Sequence, residues 1–180
     1  MEIAYFAGGC FWGIEYEFQK IKGVIDTDVG FMGGNVKNPT YKEVYTDNTG
    51  HAETVKVVYD EKIVTYRELL EEFFKMHDPT TLNRQGEDIG TRYRSEIFYT
   101  NENQKKEAEE FINYIESIKL YPEKVITKIS KATEFYIAEE YHQNYKVKIY
   151  KKKLFFHRAF RITIILITFF ILIFIKLYLS

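Results

Sequence analysis

Cysteine is almost absent from this chain, since Cys10 is the only one among 180 residues. A single cysteine excludes a disulfide within the chain, and with it the small cross-linked domains of many secreted proteins. It also excludes a metal cluster held by several thiolates of one chain, and neither a metal nor a bound cofactor is expected. Gly13 occupies the second position of a C-x-x-C redox motif, and Tyr16 stands where a cysteine phosphatase loop needs arginine.

Acidic residues are absent from residues 146–180, which contain eight Lys and Arg. Residues 1–145 contain 17 Lys and Arg against 26 Asp and Glu, a net charge of −9. An acidic surface repels phosphate backbones, so no nucleic-acid partner is expected. The charge contrast divides the chain into a body, residues 1–145, and a basic, then hydrophobic tail, residues 146–180.

The length fits one domain with a sizeable core, without internal repeats or low-complexity runs. No signal peptide is expected, because Glu2 stands where such peptides carry basic residues. A free cysteine and no leader predict a cytoplasmic protein.

The apolar pattern of the body predicts alternating strands and helices. Thr65 and Glu68 form a capping box that opens one helix, and Gly23 ends the helix that follows Cys10. The order strand–helix–strand–strand–helix–strand, with an additional helix and strand, predicts an α+β ferredoxin-like two-layer sandwich, a split βαβ plait. Two polar segments, residues 35–50 and 80–92, are expected to be long loops.

Cys10 falls where the first strand meets the first helix, with glycines at positions 8, 9 and 13. Helix N–H groups and the helix dipole at such a position favour a thiolate, and the glycines permit close approach of a ligand. The alternative is an inert, buried cysteine. A cysteine chosen for packing alone has no need of the Gly-Gly turn before it.

The four histidines provide no obvious partner for a catalytic cysteine. His77 ends an amphipathic helix, His157 lies in the tail, and His51 begins a predicted strand. All four are expected to be surface or hydrogen-bonded structural residues.

Glu53 lies in a predicted strand whose alternation places it on one face with Val55, Val57 and Tyr59. A carboxyl group on an apolar face is desolvated, which raises its pKa and keeps it protonated near neutrality. A protonated carboxyl is a candidate general acid. The alternative is that Glu53, at the strand end, turns outward to solvent.

Tyr41 lies in the first polar loop, and Asp88, Thr91 and Tyr93 lie in the second. Two phenols and a carboxyl in glycine-flanked loops are suited to a hydrogen-bonding pocket. Ordinary turn chemistry explains the same residues when each is taken alone.

Four segments in this order and spacing closely resemble the A type of peptide-methionine sulfoxide reductase, over roughly residues 2–145. They are GCFWG at 9–13, GHAE at 50–53, GEDIGTRYRS at 86–95 and EEYHQNY at 139–145.

The resemblance implies a reductase that returns the S epimer of methionine sulfoxide, in oxidised proteins or as the free amino acid, to methionine. By position, Cys10 is similar to the nucleophile that attacks sulfur. Glu53 is similar to the acid that protonates the leaving oxygen, assisted by Tyr41 and Tyr93. Asp88 resembles the carboxylate that orders water and substrate. Phe11 and Trp12 resemble the apolar cradle for the S-methyl group.

The single cysteine has a further consequence under this resemblance. Many relatives use a second cysteine to resolve the sulfenic acid that forms on the first, and this chain has none. An external thiol is therefore the expected reductant: thioredoxin, glutaredoxin or a small thiol. A monomer is expected.

Two other functions remain open from the residues alone. One is a non-catalytic module that binds methionine sulfoxide or is tethered to a membrane. The other is a thiol peroxidase, which shares the sulfenic acid intermediate but gives no reason for Glu53 and the two aromatics.

The tail joins a basic stretch to residues 162–175, 14 residues without charge, before Lys176. A spanning helix usually needs about 20 apolar residues, so this segment is borderline. A membrane anchor or interfacial helix, a functionless tail and a buried packing segment are the three alternatives. An anchor would hold the body at the cytoplasmic face, because basic residues precede the apolar run.

Overall fold

The computed structural model describes residues 1–153. One compact unit spans Met1–Asn144, and a second is formed by Tyr145–Ser180, of which residues 145–153 are described and helical. The helices of the first unit are α1 (Phe11–Phe18), α2 (Tyr41–Tyr45), α3 (Tyr66–Met76) and α4 (Glu102–Ser117), with a 3₁₀ turn at Thr91–Tyr93. Its strands are β1 (Glu2–Gly8), β2 (Val24–Met32), β3 (Ala52–Tyr59), β4 (Arg84–Gln85), β5 (Asp88–Ile89), β6 (Ser95–Tyr99), β7 (Lys128–Lys131) and β8 (Tyr136–Ile137).

The central sheet has the strand order β7-β6-β1-β3-β2-β8. β3 pairs antiparallel with both β1 and β2, so β1, α1 and β2 form a split βαβ unit with β3 inserted between its strands. β6 pairs antiparallel with β1 on the other side, and only the edge strand β7 runs parallel to its neighbour in this sheet. This arrangement confirms the predicted plait, with β7 and β8 added at its edges.

The main core lies between the sheet and the helices α1, α3 and α4. Because side chains alternate along a strand, Phe6 of β1 faces the helices and stacks against Phe18 of α1 and Phe73 of α3, at centroid distances of 5.0 and 4.9 Å. Each such fully buried phenylalanine contributes about 2 kcal/mol. The opposite face carries a smaller cluster of Ala7, Met32, Ala52 and Phe98, against which Phe135 packs.

Both segments expected to be loops contain regular structure. Residues 35–50 include α2, because Thr40 and Glu43 form a capping box equivalent to the one predicted at Thr65. Residues 80–92 contain the two-stranded hairpin of β4 and β5 and begin the 3₁₀ turn.

The first helix is shorter than predicted. α1 ends at Phe18. Beyond it, the N–H groups of Lys20 and Ile21 donate hydrogen bonds to the carbonyl oxygens of the residues three positions earlier, as in a 3₁₀ turn. Ile21 therefore packs against the core from a turn rather than from the helix.

Within residues 1–153, no helix combines the length and apolar character needed to cross a membrane. The hydrophobic run of the tail falls in residues 154–180, so the three alternatives for it lie outside the described residues.

Candidate active site

Cys10 occupies the N-cap position that precedes α1, with extended backbone dihedrals of −62° and 119°. The chain reaches this position through Gly9, whose φ of +99° is accessible to glycine at little cost. A Cβ atom at Gly9 would also lie 2.6 Å from Cγ of Gln85, in the β4–β5 hairpin. Gly9 therefore lets the hairpin pack directly beside the cysteine.

The thiol of Cys10 is predominantly protonated in this environment. Burial, and then the nearby Glu53 carboxylate, raise the pKa of Cys10 to about 12, while the N–H groups of Trp12 and Gly13 act in the opposite direction. The backbone effect expected from the helix end is thus present but is outweighed by desolvation. The proton must leave the sulfur as the substrate reacts.

Glu53 lies at the second position of β3, the strand between β1 and β2, and its side chain is buried rather than turned to solvent. Its Oε2 accepts a hydrogen bond from the N–H of Phe11, at 3.0 Å. Its Oε1 is buried and has no hydrogen-bond partner among the described residues. Burial raises the pKa of Glu53 to about 7, against the opposing effect of the Phe11 N–H. The result is a partly protonated carboxyl with one oxygen available to a substrate.

Tyr41 and Tyr93 flank this pair. Burial and then the Glu53 carboxylate raise the pKa of each phenol, so both are hydrogen-bond donors at neutral pH. Tyr41 begins α2 and Tyr93 ends the 3₁₀ turn. The structure thus brings together four of the predicted groups, Cys10 included, from four separate elements.

An ion pair that the sequence analysis did not identify fixes the position of Tyr93. Asp47 binds Nη1 of Arg92 at 2.7 Å and also accepts hydrogen bonds from the Arg92 N–H and the Thr91 hydroxyl. The Arg92 guanidinium lies 4.3 Å from the centroid of the Tyr93 ring. Its charge also lowers the pKa of Glu53, which partly offsets the effect of burial.

Asp88 lies on β5, at the exposed side of the hairpin. Its negative charge contributes to the raised pKa values of Cys10, Glu53 and Tyr93, after burial and other causes. Asp88 thus favours the protonated forms of all three groups from the rim of the site.

The two aromatic residues after Cys10 differ in exposure. Phe11 is 1% exposed and packs against Phe31 and Tyr41, whereas Trp12 is half-buried. Phe11 therefore forms the floor of the site, and the indole of Trp12 remains accessible at its edge.

Three histidines lie in the described part of the chain, and all are buried. His51 is hydrogen-bonded to Gly34 and Val36, and His77 to Phe73 and Ser95, so both are structural residues as expected. His142 is likewise buried and hydrogen-bonded, as expected, but it lies within the site, which was not predicted. Its ring lies against the site aromatics, its Nδ1 accepts from the Trp12 indole, and its Nε2 has no hydrogen-bond partner among the described residues. The only indication in the sequence was its place in the segment EEYHQNY.

The grouping provides a thiol, a proton donor of pKa near 7, two phenol donors and an apolar floor. A nucleophile beside an acid is suited to attack on a polar bond whose leaving oxygen must be protonated. Residues 1–153 contain no cluster of three or more His, Cys, Asp or Glu side chains arranged to hold a metal ion.

Comparison with known proteins identifies the family of the chain. The family model described as peptide methionine sulfoxide reductase matches residues 2–164, which extends past residue 145. The chain is 52% identical over 145 residues to MsrA of Saccharolobus solfataricus, covering 81% of each chain. It is 48% identical over 161 residues to MsrA of Methanosarcina acetivorans, covering 89% of this chain and 84% of the relative.

Solved structures agree with these relatives. Reduced Mxr1 of Saccharomyces cerevisiae superposes with a TM-score of 0.77 at 37% identity, covering 82% of this chain and 84% of that one. Methionine sulfoxide reductase A of Corynebacterium diphtheriae gives 0.72 at 38% identity, covering 82% and 74%. Mxr1 in complex with Trx2 gives 0.57 at 27% identity, covering 80% and 84%. The chain belongs to the peptide methionine sulfoxide reductase A family, the thiol-dependent oxidoreductases that repair oxidised methionine.

Proposed function

We propose that this protein reduces methionine S-sulfoxide with Cys10 as the nucleophile and Glu53 as the acid. The observation that carries this assignment is the state of Glu53. Its carboxyl is buried, has a pKa of about 7, and presents an oxygen without a partner among the described residues. A neutral acid with a free oxygen is suited to donate a proton to the sulfoxide oxygen.

The proposed reaction has two stages. In the first, the sulfur of Cys10 bonds to the sulfoxide sulfur, the Glu53 proton goes to the sulfoxide oxygen, and the thiol proton restores Glu53. The oxygen then passes to Cys10, which releases methionine and leaves a cysteine sulfenic acid. In the second stage, one external thiol displaces water to form a mixed disulfide, and another thiol releases Cys10 as a reduced thiol.

Tyr41 and Tyr93 are proposed to donate hydrogen bonds to the same oxygen. Their raised pKa values keep both hydroxyls protonated, and their positions on two different elements permit two directions of approach. Asp88 is proposed to order water and substrate from the exposed rim.

Phe11 and Trp12 are proposed to receive the S-methyl group. The Phe11 ring supports the site from below, and the indole of Trp12 is the accessible apolar surface. A methyl group gains by burial against such rings, whereas a charged or hydrated group does not.

The reductant is proposed to be thioredoxin, with glutaredoxin or a small thiol as the alternatives. Cys10 is the only cysteine, so the chain has no second thiol of its own to resolve the sulfenic acid. The complex of Mxr1 with Trx2 supports thioredoxin as the partner of this family.

A single-turnover experiment tests the assignment. Reduced protein is mixed with the S or the R epimer of a methionine sulfoxide peptide, without added thiol. We expect one methionine per protein from the S epimer only, and a sulfenic acid at residue 10 that a sulfenic-acid reagent traps. Multiple turnovers without thiol, no reaction of the S epimer, or activity in Cys10→Ser would each refute the proposal.

For the tail we propose a role separate from catalysis, with residues 1–145 as the catalytic domain and residues 146–180 holding it at the cytoplasmic face of a membrane. The basic stretch followed by an uncharged run supports this proposal. Fractionation of cells that express the chain with or without residues 154–180 tests it. Attachment predicts that only the full chain sediments with membranes, and equal distributions would refute it.

A further inference from the structure

His142 is enclosed by the aromatic side chains of the active site. It is 1% exposed, and the indole Nε1–H of Trp12 donates a hydrogen bond to its Nδ1 at 3.2 Å. Four rings lie within 5.5 Å of its own, centroid to centroid: Phe11, Trp12, Tyr41 and Tyr141.

The indole contact determines the state of the imidazole. An indole N–H only donates, so Nδ1 must be unprotonated and the neutral ring carries its proton on Nε2. That Nε2 is buried without a hydrogen-bond partner among the described residues, and Oε2 of Glu139 lies 3.9 Å from it. Burial lowers the pKa of His142, which favours this neutral form.

Glu139 extends the contact to the other side of the site. Its Oε1 accepts a hydrogen bond from the N–H of Tyr41 at 3.1 Å, at the start of α2. The rings of Tyr41 and His142 are also in contact, at a centroid distance of 4.3 Å. His142 thus touches both the indole proposed to receive the methyl group and the phenol proposed to donate to the oxygen.

We propose that His142 is a positioning residue that fixes Trp12, and through ring contact Tyr41, in the orientation that binds the sulfoxide. This inference rests on the proposed roles of Trp12 and Tyr41. Without the acceptor at Nδ1, the hydrogen bond between the indole and His142 is lost, and with it the constraint that this bond places on the orientation of the indole. The expected consequence is weaker substrate binding rather than loss of the chemical groups themselves.

Variants of His142 separate the hydrogen bond from the volume of the ring. His142→Asn places an amide oxygen near the position of Nδ1, where it can accept the indole N–H. His142→Leu fills part of the volume of the imidazole but provides no hydrogen-bond acceptor. With free methionine S-sulfoxide and dithiothreitol, we expect KM to rise roughly fivefold to tenfold in His142→Leu, with a smaller change in kcat. In His142→Asn, KM should stay close to the wild-type value.

Trp12 is the only tryptophan of the chain, so it gives one indole signal in a ¹H–¹⁵N spectrum. The wild type should show a downfield indole proton and a scalar coupling across the N–H···N bond. In His142→Leu the coupling should vanish and the proton should move upfield, whereas His142→Asn should keep a downfield proton. A merely structural role would change the unfolding temperature without this pattern.

The outcomes distinguish the inference from the function on which it rests. An unchanged indole signal or an unchanged KM in folded His142→Leu overturns the positioning role. If His142→Leu does not fold, His142→Gln, whose amide lies nearer the position of Nε2, replaces it under the same expectations. Trp12→Phe tests the function on which the inference rests. If KM is unchanged in Trp12→Phe, while His142→Leu alone still shifts the indole signal of Trp12, then Trp12 has no role in substrate binding. The proposed positioning role of His142 is then also refuted.

Discussion

Replacing Glu53 by glutamine is expected to make this protein more stable and much less active. Glutamine has nearly the shape of glutamate, and its amide oxygen can accept the N–H of Phe11 as Oε2 does. It cannot ionise and cannot donate a proton of comparable acidity. The substitution therefore removes the acid while the packing of the site is retained.

The stability change follows from the raised pKa. The pKa of Glu53 rises from 4.5 to about 7 on folding, so protonation favours the folded state. That favourable contribution is complete below pH 4.5 and is lost as the pH rises through 7. Relative to low pH, the raised pKa of Glu53 costs the folded state about 3 kcal/mol at pH 8, where the buried carboxyl must ionise, and about 1 kcal/mol at pH 5, where only the unfolded carboxyl ionises.

The measurement is urea unfolding of the wild type and Glu53→Gln at pH 5 and pH 8. The difference in free energy of unfolding between variant and wild type should grow by about 2 kcal/mol from pH 5 to pH 8. The intrinsic cost of a buried amide does not depend on pH, so it cancels in this comparison. Glu123→Gln, which alters an exposed carboxyl, is the matched control and should show no such growth.

The activity of the same variant should move in the opposite direction. Loss of a general acid lowers kcat/KM for the S epimer by about 10²-fold to 10⁴-fold. A difference in stability that is the same at both pH values would refute the buried, raised-pKa carboxyl. A rate within threefold of the wild type would refute its role as the acid.

Three further predictions concern the surroundings of the site. Burial lowers the pKa of His77 to about 4, so the neutral imidazole stabilises the fold fully above pH 6.5, and this stabilisation is lost as the pH falls toward 4. In urea unfolding, the free energy of unfolding of the wild type should fall by about 3 kcal/mol over this range. His77→Gln should remove this pH dependence. Gly9→Ala should lower the free energy of unfolding by about 3 kcal/mol, because of the φ of +99° and the collision of the new Cβ with Gln85. Gly86→Ala, with a φ of +59° and open space around it, should lower it by about 1 kcal/mol. Thermal unfolding of both variants measures the difference. Asp47→Ala should lower stability by about 2 kcal/mol and reduce kcat/KM, because it leaves the buried arginine beside Tyr93 without its carboxylate; an unchanged rate would contradict that support.

The sheet and the position of the cysteine were predictable because both follow from local patterns. Period-two alternation in the segment around Glu53 placed that carboxyl among core residues, and the structure puts it there. The glycines around Cys10 marked the junction of β1 and α1 correctly.

The parts that were missed depend on long-range contacts, or on the competition between burial and hydrogen bonding, and no local sequence pattern contains either. α2 was hidden because its capping box at Thr40 precedes a helix with one fully buried residue, Val44, rather than an apolar run. The thiolate expected at Cys10 followed from the helix end alone, and burial reverses it. His142 reaches Trp12 across 130 positions of the chain, so only the folded topology shows the pair.

The hydrogen bond from Phe11 to Glu53 has a consequence for the catalytic cycle. Cys10 occupies the capping position of α1, but its side chain makes no capping hydrogen bond, and the first helical N–H is satisfied by a carboxylate from another strand. When Glu53 has given its proton to the substrate, the new negative charge therefore lies against the positive end of a helix. The amide dipoles are already oriented for that charge before it appears. Little of the surrounding structure has to reorganise for the acid to lose its proton or to regain it.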